Sequence, residues 1–449
     1  MSTPQGQRLQ GRWLQGQWLQ AQRRDADRAL AARDVRVPGL NWVLDDELLS
    51  ELLGESVQIF RTRYKPHTSA LVAFRRAGSG SYGSGSYAGG AGSYGWALTT
   101  TPEHVGKLQQ RADSSQQRGG GIRLIQPDHL HPDVAVAAGP VQEDWPLRPN
   151  LRWLRDHGLR RLGALPSAGS FLDPPVSVLR YNPERRLVAR VPTETVPVVV
   201  KTAVQADEAA AGLRLRQRLQ SHGIPVLPEL ADPECAAHGI SASPGWGQGD
   251  LGGGGNDPAA YRAGQALAAI HGMDTDPGAD PMADMEDLVR QLMATRSMIT
   301  CLLPGLEASV DALTGRLLAA VGAAGPRRQQ PVLVHGDFSA DQVLVDGPAV
   351  RIIDFDRVRT SDPARDLGSF AAVEDIADPA GVGPVAGGRK TAQLIDGYRE
   401  AGGYVSQARV ETWAAFRLFL NSVDPFRNRA SDWPADTSWH IRRALELIA

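Results

Sequence analysis

Residues 335–342 read HGDFSADQ, and nineteen residues after His335 an apolar run ends in IIDFD, whose first aspartate is Asp354. The pattern sets a carboxylate, Asp337, directly after His-Gly. A carboxamide, Gln342, follows five residues later, and a second carboxylate closes the apolar run. Phosphoryl transfer asks for such a set: magnesium on the phosphates, a cation on their oxygens, and a carboxylate to orient the acceptor hydroxyl. Asp337 can take the hydroxyl proton or align that hydroxyl. Gln342 and Asp354 offer the oxygen ligands that magnesium prefers. Lys201, at the end of the run PVVVK, is the candidate phosphate-binding cation, and Glu208, seven residues on at a helix start, can hold it by an ion pair.

These groups must be positioned by local elements. VLV before His335 reads as a strand, and QVLVDG with VRIIDFD reads as a hairpin that returns Asp354 towards Asp337. Three stretches beginning at 257, 285 and 307 carry apolar residues at three-to-four spacing and read as helices, the first opening on Asp-Pro. Further helices follow to the C-terminus. The glycine-rich GWGQGDLGGGG at 245–255 separates this α-rich half from a β-rich one and reads as a hinge. Its GGGG lacks the spacing of a phosphate loop.

The β-rich half contains an internal similarity. RYKPHTSALVAF at 63–74 matches RYNPERRLVAR at 180–190 as Arg-Tyr-x-Pro, a turn, then Leu-Val-Ala, with one extra residue in the first copy. Each copy reads as strand, turn, strand, loop, strand, which points to a duplicated unit. Where the second copy has Lys201 the first has Leu98, so only the second can serve phosphate. Residues 78–95, GSGSYGSGSYAGGAGSYG, read as an expanded surface loop. Residues 1–35, with a Gln- and Arg-rich repeat, read as disordered or as a loosely attached helix. DHLHPD at 128–133 reads as a polar turn, not a metal site. His335 and His271 read as structural. Arg185 and Arg186 read as hairpin arginines in solvent.

HGDFSADQVLV, IIDFD and SDPARDL together resemble the aminoglycoside phosphotransferase group of small-molecule kinases, whose usual pattern is H-G-D-x-x-x-x-N, then I/L-D-[FW], then D-x-x-x-D-[LV]. The resemblance covers about 175 to 449. It implies an α+β, protein-kinase-like bilobal fold, here with an additional N-terminal β-rich unit like a duplicated small-lobe hairpin. The implied organisation is an extension over 1–50, partly disordered or helical; a degenerate β-rich unit over 51–150; a small lobe over 170–244; and an α-rich lobe with the catalytic loop over 245–449. By the same resemblance Asp337 is the catalytic aspartate, Gln342 and Asp354 bind metal, Lys201 with Glu208 binds nucleotide phosphate, and Asp366 supports the catalytic loop. Gln342 departs from the usual Asn but is similar to the maltokinase branch. No G-x-G-x-x-G loop precedes Lys201. The implied cofactors are Mg2+ and ATP, with GTP as the alternative.

Composition sets outer limits. Net charge is -2, from 48 basic and 50 acidic side chains, so no charge excess points to nucleic acid or an anionic membrane. The two cysteines, Cys235 and Cys301, form no metal-ligand pattern and fit a reducing compartment. No run approaches the ~20 apolar residues of a membrane span. The expectation is a cytoplasmic small-molecule kinase acting on a hydroxyl of an amino sugar, sugar or nucleoside. The alternative is a non-catalytic kinase-fold protein that binds nucleotide or another ligand.

Overall fold

The computed structural model describes residues 21–76, 93–127, 133–164, 176–253, 257–275, 281–322 and 330–449. Residues 78–92 of the Gly/Ser stretch, most of the Gln-rich repeat and the two histidines of DHLHPD lie outside these residues; Tyr94 and Gly95, expected in the loop, are strand instead, because they pair in register with Arg75 and Phe74. The chain divides into two compact units. The first holds residues up to 210, with 230–245 and 424–436; the second holds 211–229, 246–423 and 437–449. Among the described residues no helix is long and apolar enough to cross a membrane.

The first unit contains two antiparallel sheets. Strands β1 (Val57–Lys65), β2 (Ser69–Arg76), β3 (Tyr94–Thr100), β4 (Arg123–Ile125) and β5 (Val136–Pro140) form one sheet in the order β1-β2-β3-β5-β4, with the helix Val105–Gln117 between β3 and β4. Strands β6 (Ser177–Asn182), β7 (Arg186–Val191), β8 (Val198–Ala203) and β9 (Ile240–Pro244) form the other, with the helix Ala206–Ser221 after β8. Each sheet thus runs as hairpin, third strand, helix and a strand that pairs with the third, β5 or β9, the first sheet adding β4 at its edge.

The likeness extends to single atoms. In the first copy Asp34 Oδ2 accepts from Tyr64 Oη at 2.6 Å and from the backbone N–H of His67 at 2.9 Å. In the second, Asp144 Oδ2 accepts from Tyr181 Oη at 2.7 Å and from Glu184 N–H at 2.9 Å. His67 and Glu184 hold φ of 59° and 57°, a left-handed bend whose backbone N–H the buried carboxylate accepts in each copy. The two hairpins have equal loop lengths: Lys65 pairs with Ser69, and Asn182 with Arg186. The first copy therefore has no extra residue, which corrects the alignment drawn from matching Leu-Val-Ala. Ala70, not Leu71, stands where Leu187 stands, because register follows the turn and not the identity of the apolar residues. In that register Leu98, paired with Leu71 and Ala137, takes the place of Lys201, paired with Val188 and Ser241.

Leu98 and its face-mates Leu71, Ala73, Trp96 and Ala137 pack into a core shared with Leu151, Leu154, Tyr181, Leu187 and Val200 of the second copy. The first copy's equivalent of the lysine face is therefore filled with side chains. Its opposite face is covered by Leu40–Leu44 and Asp46–Leu53. The second of these helices is capped by Asp45, which accepts from Glu47 N–H and Leu48 N–H, and closed by Gly54 at φ 69°.

A helix over 21–33 belongs to this unit as well. Leu30 is buried, and Asp27, 3% exposed, is gripped by Arg429 and by Trp433 Nε1 at 3.2 Å. Tyr64 and Phe426 meet edge to face. The described part of the N-terminal extension is thus packed, not loose. Its apolar residues are few, but a segment from the far end of the chain completes their cover.

The second unit is mostly helical. The expected helices occupy Asp257–His271, Pro281–Leu302 and Glu307–Gly322. Asp257–His271 crosses Arg389–Glu400 at backbone distance. A Cβ on Gly264 would lie 2.0 Å from Leu394 O, and one on Gly397 would lie 1.9 Å from Tyr261 O. Small strands are inserted among the helices: β10 (Gly249–Asp250), β11 (Val332–Val334), β12 (Val343–Asp346), β13 (Ala349–Ile352) and β14 (Arg359–Ser361). β12 pairs with both β13 and β10, so part of the glycine-rich stretch is strand; β11 pairs with β14.

Candidate active site

β11 delivers His335, and the helix Ala364–Ala377 delivers Asp366, which is fully buried. Asp366 Oδ2 accepts from His335 N–H at 2.7 Å, and Oδ1 accepts from Gly336 N–H at 2.8 Å. His271 Nε2 lies 3.1 Å from Oδ2, while its Nδ1 meets Tyr398 Oη at 2.9 Å. The close helix crossing at Gly264 and Gly397 sets up this relay, because His271 and Tyr398 lie on the two helices that cross there. Burial alone would push the Asp366 carboxyl up. The bond from His271, its charge and that of His335, and the backbone donor outweigh it and hold the carboxyl below the usual range.

The loop is pinned from its other side by the β13 return. His335 Nε2 lies 2.9 Å from Ile353 O, and Ile353 N–H donates to Gln342 O at 3.0 Å. Gly336 has φ 81°, and a Cβ there would lie 2.2 Å from Arg357 O, so glycine is required between His335 and Asp337. Asp354 itself holds φ 64°, a conformation that a non-glycine residue keeps only when its surroundings enforce it.

The structure brings Asp337, Gln342 and Asp354 into one loop cluster of the second unit. Gln342 Nε2 donates to Asp341 Oδ2 at 3.0 Å, which commits the nitrogen end of the amide and leaves Oε1 as its acceptor end. Asp341 Oδ1 also accepts from Ser339 Oγ at 2.5 Å. Asp337 forms an ion pair with Arg417, from the helix Gln407–Asn421, and lies 3.6 Å from Arg357 Nε. Lys201 and Glu208 lie in the first unit. Lys201 is half-buried on β8, and Glu208 is exposed in the first turn of Ala206–Ser221.

Two features escaped sequence reasoning. Arg417 lies eighty residues beyond Asp337, on a helix whose pattern marks it only as amphipathic. His271, legible as a packed helix-end residue, is a member of the relay that fixes the loop. Asp362 holds the next turn, accepting from Ala364 N–H at 2.8 Å and from Arg409.

Residues 173–404, just over half of the chain, match the model of the phosphotransferase enzyme family. The chain belongs to that family. Its fold is α+β, with an additional N-terminal β-rich unit, and family membership makes the chain a phosphotransferase. Solved structures similar to it include a spectinomycin phosphotransferase in complex with ADP and spectinomycin, 15% identical, TM-score 0.44, covering 60% of this chain and 92% of that one. A choline/ethanolamine kinase family protein from Mesorhizobium loti is 18% identical, with TM-score 0.44, and covers 66% and 94%. An aminoglycoside phosphotransferase in a ternary complex with streptomycin and ATP is 12% identical, with TM-score 0.45, and covers 66% and 98%. No curated protein matches the chain by sequence.

Proposed function

We propose that this phosphotransferase moves the γ-phosphoryl group of ATP, or of GTP, to a hydroxyl of a small molecule, with magnesium as the metal. The observation that carries the reading is the loop cluster itself. A buried carboxylate, Asp366, fixes the backbone on which Asp337 projects, while the β12–β13 hairpin returns Asp354 beside Gln342. The donor set suits magnesium, which takes few protein oxygens and fills its shell with phosphate and water. Bound there, the metal would neutralise phosphate charge.

Asp337 orients the acceptor hydroxyl and receives its proton as the oxygen–phosphorus bond forms and the bond to the leaving diphosphate breaks. Lys201 contacts phosphate oxygens and Glu208 supports it. Gln342 serves through Oε1, since its nitrogen is committed to Asp341. These roles favour an enzyme over a non-catalytic binding protein, because a binding protein has no need to hold a carboxylate at Asp337.

The test is ADP release from magnesium-ATP across a panel of hydroxyl acceptors, beside Asp337→Ala and Asp337→Asn. Loss of a proton acceptor is expected to lower kcat by about 10²–10⁴-fold with nucleotide binding retained. Nucleotide binding without Asp337-dependent turnover on any acceptor would support the binding-protein reading instead.

A further inference from the structure

A cavity of about 550 Å³ opens in the second unit between residues 223–225, the helix Asp257–His271 and β13. No residue of the Asp337 loop cluster lines it. Its size suits a small organic molecule. Ile224, Pro225 and Val350 supply apolar wall, and Arg262, Gln265 and Arg351 supply polar heads. Arg262 and Gln265 are three residues apart on the helix and so share a face. Neither makes a hydrogen bond or ion pair among the described residues. Arg351 enters from β13. Its guanidinium lies over the Trp246 ring at 5.1 Å, and Nη1 donates to Val350 O at 2.9 Å. These contacts fix its plane, while its other N–H groups have no bond among the described residues.

No carboxylate lines this cavity. The acids on the elements around it lie outside its wall. Asp257, which opens the helix, pairs with Arg389 at 3.1 Å. Asp396 and Glu400 lie by Tyr261, whose Oη donates to Glu400. Glu229, beyond the 223–225 loop, pairs with Arg216. Asp250 on β10 accepts from Gly253 N–H at 3.1 Å. Asp346, opposite Ala349 across the β12–β13 hairpin, is the nearest carboxylate by register, and it is exposed, where solvent screens it. Two guanidinium groups thus share one wall with an amide and apolar carbon, and no anion of the chain sits among them.

We infer that this cavity is a binding site for a small organic phosphate monoester, with the phosphate held by Arg262 and Arg351 and the organic body against Ile224, Pro225 and Val350. Gln265 serves the ester oxygen or a hydroxyl of the body. Guanidinium groups from two different walls match the two charges of a monoester near neutral pH, and their planar N–H forks fit its oxygens. A carboxylate brings only one charge. The site is separate from the phosphoryl-transfer cluster and does not depend on its chemistry. Its wall is nonetheless bonded to the same strand: Ile352 N–H donates to Pro225 O at 2.8 Å, Val226 bridges to Ile352, and Asp354 follows two residues on.

The experiment is calorimetry on the full chain without magnesium, with phenyl phosphate as the probe and benzoate, phenol and inorganic phosphate beside it. One phenyl phosphate per chain is expected, with each of the other three at least about tenfold weaker, the scale of one charge-assisted hydrogen bond. Two variants locate the site. Arg262→Glu reverses one charge, and Ala269→Trp fills the cavity from an exposed wall position. Each should weaken phenyl phosphate at least tenfold, while magnesium-ATP binding and the thermal midpoint stay at the wild-type values. Hydrogen exchange should slow over 262–266 and 349–352 when phenyl phosphate is added. Absence of phenyl phosphate binding, equal affinity for benzoate or phenol, or affinity that either variant leaves unchanged would overturn the inference.

Discussion

Replacing Asp366 with asparagine should damage the site without touching any group at its surface. Three donors converge on this carboxylate in a wholly buried place: His335 N–H and His271 Nε2 on Oδ2, and Gly336 N–H on Oδ1. Asparagine keeps one acceptor oxygen and turns an NH2 towards at least one of those donors. One buried N–H is then unsatisfied, at a cost of ~1–3 kcal/mol, and the remaining bonds lose their charge assistance. The total is about 2–4 kcal/mol. At about 2–4 °C per kcal/mol for a unit of this size, the unfolding midpoint should drop by roughly 4–16 °C.

The same change should release the loop before Asp337, where a displacement of about 1 Å costs on the order of 10²-fold in rate. The pH dependence has a definite sign. Asp366 is held below its ordinary carboxyl range, so it contributes stability above the unfolded value of about 3.9 and loses it as pH falls through the folded one. Asp366→Asn should therefore narrow the gap to wild type in acid and show its full cost near neutrality. Scanning calorimetry at several pH values, run beside ADP release, reads both effects. A midpoint within 1 °C of wild type together with unchanged kcat/KM would refute the assignment of Asp366 as the fixing group.

The duplicated Asp–Tyr clasp gives two substitutions of opposite sign. Burial lifts the Asp144 carboxyl to about 6, beyond what the bonds from Glu184 N–H and Tyr181 can offset, so this group costs the fold ~3 kcal/mol once pH has risen from about 4 through 6. Asp144→Asn should remove that loss and raise the midpoint at pH 7 relative to wild type. At Asp34 burial is outweighed by bonds from Tyr64 and His67, the carboxyl lies low, and Asp34→Asn should lower the midpoint at pH 7 in the same assay. Gly264→Ala would drive a methyl into Leu394 O; a loss of roughly 1–3 kcal/mol by chemical denaturation is expected, with reduced turnover because the His271–Tyr398 contact lies on the same two helices. Arg429→Ala would leave Asp27 buried without its cation, and equilibrium unfolding should register about 3–5 kcal/mol.

The clustering of residues 335–354 was legible because they are close in sequence and joined by a short hairpin. Glycine must precede Asp337 for lack of room, and Asp354 follows two residues after β13. The hairpin repeat was legible through Arg-Tyr-x-Pro, but its alignment slipped by one residue because apolar identity is a weaker guide than turn length. Asp34 and Asp144 stand thirty and thirty-seven residues before the tyrosines they hold, and nothing in their own neighbourhoods marks them. The acids at 284, 287, 374 and 375 lie in stretches whose own sequence names no partner for them. Their partners, among them Arg359, Arg365 and Arg443, come from segments that only the fold brings near. Arg417 was hidden for the same reason: long-range pairing leaves no periodic trace.

The grip of Arg429 and Trp433 on Asp27 spans 402 residues between arginine and aspartate. A ribosome adding about 5–20 residues per second needs roughly 20–80 s to cross that interval. Throughout this time the helix over 21–33 has been made but lacks its charge partner, and a buried site for a carboxylate cannot form around it. The buried pair can therefore form only after Arg429 has been made. A chain terminated shortly before Arg429 would keep every strand of both sheets of the first unit and all of residues 335–354, yet Asp27 near its beginning would be left without that charge partner.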